Sequence, residues 1–342
     1  MKNVKTLLIL LSISTFVFAS TTRTDALGGA GFWEDDYANI GAFPASVNNH
    51  NVAWTDGADF TSVWNADGTT WGFAGGSGDD MANVWWGNGD MGVNFGLGMA
   101  PEVAAIAAVI AVEASEDVDA VPAVPAVAKI DAETAINVGF GMPLAGMDFG
   151  FTYGMGGDNY GGGTVGVNLR RAQSIWLFEN ILVDFDMGME DTDTGAPAIM
   201  GLGTHLYTTT SYDSGINSLF GLGFNYNDTG VEGVDPGMGI EWNFAVESAM
   251  TDWATLRLGY SHGYDFSTGG TDNGDSMTCG DDSDAWCGDQ TGGLVVGLGF
   301  NYGSFNLDMN VGDYESLVTN PGRYVTGRNE TLGANWTITY NW

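Results

Sequence analysis

The chain has 342 residues, with nine basic side chains against forty-three acidic ones, a net charge of −34, and 53 glycines beside 12 tryptophans, 12 tyrosines and 18 phenylalanines. So acidic a chain is a poor partner for nucleic acid or any other polyanion, and its self-repulsion needs cations or salt for screening. The two cysteines exclude a disulfide-built scaffold. In chain order, the first element is a short apolar run: Lys2 and Lys5, an apolar stretch from Leu7 to Leu11 with Ile13, then Val17-Phe18-Ala19. Residues 1–19 are therefore expected to be a secretory signal peptide. Removing them would leave seven basic residues against the forty-three acidic ones, a net charge near −36.

Residues 20–50 follow as an N-terminal segment that reads "DALGGAGFWEDDYANIGAFPASV" from Asp25. It resembles the opening of the long-chain fatty acid transporter (FadL-like) and PorV-like outer-membrane families in Ala26, Leu27, Gly28, Gly29 and Ala30, in the acidic pair Asp35 and Asp36, and in Ala38, Pro44 and Ala45. Phe43 stands where those families carry an asparagine. The resemblance covers about twenty residues. It implies a fourteen-stranded barrel whose N-terminal segment folds into the lumen as a plug, with hydrophobic cargo.

From residue 51 to 342 the pattern is β. Segments 51–55 and 58–65 are weak candidates; from Thr69 fourteen runs follow, each near the ~9–11 residues of a tilted membrane-crossing strand. Met91, Val93, Phe95, Leu97 and Met99 alternate with glycine and asparagine. So do Ile136, Val138, Phe140 and Met142, then Phe220, Leu222, Phe224 and Tyr226, and Leu294, Val296, Leu298 and Phe300. The ending "TLGANWTITYNW" puts Trp336, Ile338, Tyr340 and Trp342 on one face. A soluble sandwich would carry Lys, Arg, Glu and Thr on its second face; here that face is glycine, asparagine and a few acids, as a lumen would be. No segment offers the ~20 apolar residues of a membrane helix: "VAAIAAVIAV" at 103–112 gives way to Glu113, Glu116 and Asp117. The expected fold is a closed antiparallel transmembrane β-barrel of about fourteen strands, within a range of twelve to sixteen.

Connection lengths support it. Short links near Gly303, 248–252, 211–215, Glu179-Asn180, 143–146 and 87–90 alternate with long ones at 313–330, 265–290, 228–237, 190–197, 156–163 and 100–132, as the periplasmic turns and external loops of an outer-membrane barrel do. Parity slips near Arg170–Gln173, as at a β-bulge. The proline-bearing Ala/Val stretch at 101–131 is expected to be an extended or partly helical surface loop.

Inward parity gathers Asp148, Asp184, Asp186, Glu241, Glu247 and Asp308 against Arg257 and Arg170. Such a lining favours cations in a pore, unless the acids pair with the arginines or with the N-terminal segment. Cys279 and Cys287, eight positions apart, are expected to close a small loop in an oxidising compartment. Asp272, Asp275, Asp281, Asp282 and Asp284 beside them have the carboxylates that calcium takes, but the spacing is not that of an EF-hand and suits a solvated acidic loop. His50, His205 and His262 are too scattered for zinc. No nucleophile–base pattern stands out, so no enzyme activity and no cofactor are expected. Tyr340 and Trp342 resemble the terminal aromatic signal by which outer-membrane barrels are recognised for insertion. The reading is a porin-like channel or transporter for small, on the resemblance's account hydrophobic, solutes in the outer membrane of a Gram-negative-type bacterium, with lipid and the barrel-insertion machinery as partners. The alternative is a non-transporting structural or secretion-associated surface barrel whose loops bind partners.

Overall fold

The computed structural model describes residues 22–27, 29, 31–76, 80–100, 133–155, 163–190, 197–231, 234–266, 290–311 and 334–342. Sixteen antiparallel strands close on themselves: β1 (Val52–Thr55), β2 (Asp59–Ala66), β3 (Thr69–Gly76), β4 (Asp80–Gly87), β5 (Gly92–Ala100), β6 (Glu133–Leu144), β7 (Met147–Met155), β8 (Thr164–Ile175), β9 (Phe178–Gly188), β10 (Ile199–Tyr212), β11 (Ile216–Asp228), β12 (Gly237–Thr251), β13 (Ala254–Asp265), β14 (Gln290–Tyr302), β15 (Phe305–Val311) and β16 (Ala334–Asn341). Every strand pairs with its chain neighbours, and β16 meets β1 in the register Val52 to Asn341 through Thr55 to Ile338. Closure leaves no unpaired edge, the condition for a sheet in lipid. Fourteen strands were expected; the two weak candidates at 51–55 and 58–65 are β1 and β2, and they bring the number to sixteen.

Parity sorts the two faces as the alternation requires. Trp64, Trp71, Phe73, Phe95, Phe220, Phe224, Phe244, Tyr260, Trp336, Ile338 and Tyr340 are all exposed on the outside. A band of apolar surface this wide suits hydrocarbon rather than water. At the short-turn end the band finishes in Trp176, Tyr212, Trp253, Tyr302 and Trp342, the position of an interfacial aromatic girdle.

That end carries the tight links: 67–68, 88–91, 145–146, 176–177, 213–215, 252–253 and 303–304. Asp67-Gly68 and Ala145-Gly146 both have positive φ at their two central residues, the requirement of a type I′ hairpin turn. The link after β8 falls at Trp176-Leu177 rather than Glu179-Asn180, which lie within β9. The cause is a register shift between Ala172 and Ile175, the bulge that the slipped parity signals.

The described residues between 22 and 50 run inside the barrel, with one helical turn (Thr22–Asp25) and two 3-10 segments (Tyr37–Ile40 and Pro44–Asn49). They provide the core. Ala38, Ile40 and Val47 pack on Val52, Trp54, Val63, Ala74 and Trp85 of the wall; Leu27, Phe32, Trp33 and Phe43 pack on Leu182, Tyr207, Leu219 and Ala245. The inward face is thus not uniformly small and polar. Where the apolar side chains of the inner segment touch the wall, the wall turns apolar or aromatic.

Candidate functional site

The site is the lumen and the segment inside it. Asp36 caps the first 3-10 turn by accepting from the Ala38 amide at 2.8 Å. Asn39, wholly buried, ties the segment to itself: its Nδ2 donates to the carbonyls of Trp33 and Asp36, and its Oδ1 accepts from the Gly31 amide at 3.0 Å. Pro44 opens the second turn where its missing N–H costs nothing.

That second turn lies against inward glycines of the wall. A Cβ at Gly92 would sit 2.0 Å from the Pro44 carbonyl oxygen, one at Gly141 2.6 Å from the Ala45 nitrogen, and one at Gly150 1.9 Å from the Ala42 oxygen. These glycines let two backbones touch, a demand that no side chain meets.

Two arginines pin the segment from opposite directions. Arg170 of β8, buried, grips Asp148 at 2.9 Å, donates to the Gly31 carbonyl at 2.9 Å, and stacks 4.6 Å above the Phe43 ring. Phe43 thus has a role here: its ring is a platform for the guanidinium. Arg23 of the segment reaches the other wall. It pairs with Asp36 and lies 3.0 Å from Glu247, which also takes Arg257 at 2.8 Å; Arg257 in turn meets Asp308 at 2.6 Å. Burial works against the Arg23 charge, but Asp36 and Glu247 outweigh it and raise its pKa. Thr22 and Tyr37 add hydroxyl contacts of 2.9 Å to Thr337 and Thr339.

The six inward carboxylates therefore divide. Asp148, Glu247 and Asp308 face arginines; Asp184, Asp186 and Glu241 do not pair with one among the described residues. Asp184 and Glu241 instead flank His205, each 3.2 Å from a ring nitrogen, the Nδ1 contact lacking hydrogen-bond geometry. Gly203 and Gly223 make room for this: a Cβ at Gly223 would lie 2.6 Å from His205 Nδ1. Phe32 closes the group from below, its ring edge-on to His205 at 5.6 Å.

Among the described residues, three cavities are seen beside the segment. One of about 370 Å³ lies at the short-turn end among Arg23, Asp35, Glu247, Arg257 and Asp308. Another, of about 170 Å³, lies beside Phe43, Asp90, Asp148 and Arg170. A third, of about 40 Å³, lies on the loop side of Ile40 and Gly41.

Of the N-terminal motif, Ala26 and Leu27 are buried in the lumen, a Cβ at Gly297 would lie 2.6 Å from that of Ala26, and Asp35 lines the large cavity. Gly28 and Ala30 fall outside the described residues, as do Cys279, Cys287, Asp272, Asp275, Asp281, Asp282 and Asp284. Tyr340 and Trp342 are exposed on β16 and just beyond it, their rings 5.7 Å apart. Sequence reasoning missed Arg23 and Asn39. Arg23 had a signal, as a lone cation in an acidic opening.

No protein-family model and no curated protein matches the chain. Among solved structures, a mutant porin of Rhodopseudomonas blastica is 11% identical over 83% of this chain and 89% of its own, with a TM-score of 0.35. A bacterial polysaccharide outer-membrane secretin is 10% identical over 86% of this chain and 99% of its own, with a TM-score of 0.48. The barrel assignment stands on the strand pairing above.

Proposed function

We propose that this barrel is an outer-membrane channel for small solutes whose short-turn half, periplasmic by the rule that short turns face that side, is closed by the inner segment in the state described. The observation that carries this reading is the double pinning, with Arg170 reaching in from β8 and Arg23 reaching out to β12. A sixteen-stranded barrel is wide enough for an aqueous path, and polar or ionic side chains border each of the three cavities beside the segment. That lining suits polar cargo better than the hydrophobic cargo the N-terminal resemblance implies. Entry from the loop side passes Asp184, Asp186 and Glu241, so cations are favoured there.

The second reading, a structural or secretion-associated barrel, is favoured by the same pins if they never release. Planar-bilayer recording separates the two. Wild type should show rare openings, and Arg23→Gln with Arg170→Gln should raise the open probability at least ~10-fold, because each substitution removes a charge-assisted contact worth roughly 1.5–3 kcal/mol. A double variant that folds yet conducts no more than wild type would leave only the structural reading.

A further inference from the structure

The cavity of about 40 Å³ on the loop side of Ile40 and Gly41 differs from the rest of the lumen in having no charged side chain in its lining. Its apolar wall is the indoles of Trp54 and Trp85; its polar wall is the carboxamides of Asn83, Asn94 and Asn137. Two of its groups are unsatisfied. Asn83 Oδ1 and Trp85 Nε1 have no hydrogen-bond partner among the described residues, although Asn83 is 1% and Trp85 3% exposed. A buried acceptor and a buried donor left open cost of the order of 1–3 kcal/mol each, and such groups in a folded protein ask for a ligand or water.

Glycines hold the amides in place. A Cβ at Gly96 would fall 2.2 Å from Asn83 Oδ1, and one at Gly139 2.0 Å from Asn94 Oδ1. The carboxamides thus lie flat along the wall, where any side chain on the neighbouring strand would push them off.

We propose that this cavity binds one edge of a small neutral polyhydroxylated solute, a polyol or monosaccharide. A hydroxyl both accepts and donates, so the hydroxyls of such a solute match both an indole N–H and a carboxamide oxygen. The indole faces take the C–H side of the same molecule, an apolar wall with a few fixed polar groups being the usual build of a small-molecule site. Carboxamides and indole offer no counter-charge, which disfavours an ionic ligand. The volume admits about three waters, so the rest of the solute stays in the lumen above. This reading names the cargo class of the proposed channel, but it rests on the cavity and not on conduction.

The test is saturation-transfer NMR on the full-length barrel in a phosphocholine detergent, with D-glucose and glycerol as probes and folding followed by heat-modifiable gel mobility. Wild type should transfer saturation to glucose protons. Asn83→Leu should weaken glucose binding about 5–10-fold, and Trp85→Phe, which keeps the ring and loses the N–H, about 3–10-fold. Gly96→Ala should act like Asn83→Leu by displacing the amide. The proposal is overturned by a lack of transfer to both probes in wild type, which would mean that the cavity holds water only, or by unchanged binding in whichever of the three variants fold. Glucose binding without conductance would sink the channel and keep the site; conductance without binding would do the reverse.

Discussion

Replacing Gly92 with alanine should loosen the inner segment without opening the barrel. The new Cβ would lie 2.0 Å from the Pro44 oxygen, 2.4 Å from its carbonyl carbon and 2.7 Å from the Ala45 nitrogen, all backbone atoms that have no rotamer to escape into. An ordinary contact begins near 3.4 Å, so the 44–45 peptide must withdraw by more than an ångström. That strains Asn48, whose Nδ2 bridges the Ala45 and Met91 carbonyls at 2.9 and 3.0 Å, and it lifts Phe43 from beneath Arg170. Overpacking of this kind costs typically ~1–3 kcal/mol, which is a ~5–160-fold larger population of released segment. Hydrogen exchange followed by mass spectrometry reads that population directly, because the Phe43, Ser46 and His50 amides donate to Asn39, Phe43 and Val47 in the closed state. Gly221→Ala is the control. It is also an inward glycine, but its Cβ would meet nothing nearer than 3.6 Å. Equal exchange in Gly92→Ala and wild type, or equal acceleration in the control, would refute the view that glycines seat the segment.

Four further outcomes are expected. Burial, with Asp36 and Asp35 acting in the opposite sense, holds the His50 pKa below its ordinary 6.5. The unfolded chain therefore binds the proton more readily, stability is present above that ordinary pKa, and it is lost as pH falls toward the depressed one. Exchange of the 41–50 amides should accelerate on acidification from pH 7.5 to 5, and His50→Gln should remove that dependence. If the barrel conducts, Asp184→Asn with Asp186→Asn should reduce cation preference, read as a reversal potential under a salt gradient. Glu247→Gln should instead accelerate exchange around Arg23, since that carboxylate is spent on two guanidiniums. Ala145→Asn should stabilise the barrel by roughly 0.5–1 kcal/mol, because a φ of 53° at Ala145 is tolerated better by asparagine. The urea midpoint of folded barrel on gels checks this.

The barrel was legible in the sequence because its signal is covalent. A strand puts successive side chains on opposite faces whatever else happens, so Phe220, Leu222 and Phe224 could be placed outside, and Gly221 and Gly223 inside, without knowledge of the strand partners. The two weakest strand signals, at Val52–Thr55 and Asp59–Ala66, were faint for a physical reason. Trp54 and Val63 are inward residues packed on the segment, so apolar side chains occupy both faces there and the alternation fades. The turn at Trp176-Leu177 was hidden in the same way, since two apolar residues at an interfacial turn look like strand.

Charge partners were only partly legible, and the reason lies in how they are assembled. Glu247 and Arg257 sit ten positions apart and face each other through the β12–β13 hairpin, which register alone could suggest. Asp308 and Arg23, by contrast, reach the same cluster from distant parts of the chain, Arg23 on a segment with no repeating geometry. Counting inward acids therefore overstates the unpaired negative charge on the short-turn side, where Glu247 and Asp308 face arginines; Asp184, Asp186 and Glu241, on the loop side, do not pair with one among the described residues. The consequence is mechanistic. The carboxylates that could select cations and those that hold the segment are different residues, on different halves of the same strands: β12 carries Glu241 for one task and Glu247, six residues on, for the other. If the barrel conducts, selectivity and closure should then be alterable independently, which a lumen with one undivided acidic lining would not allow.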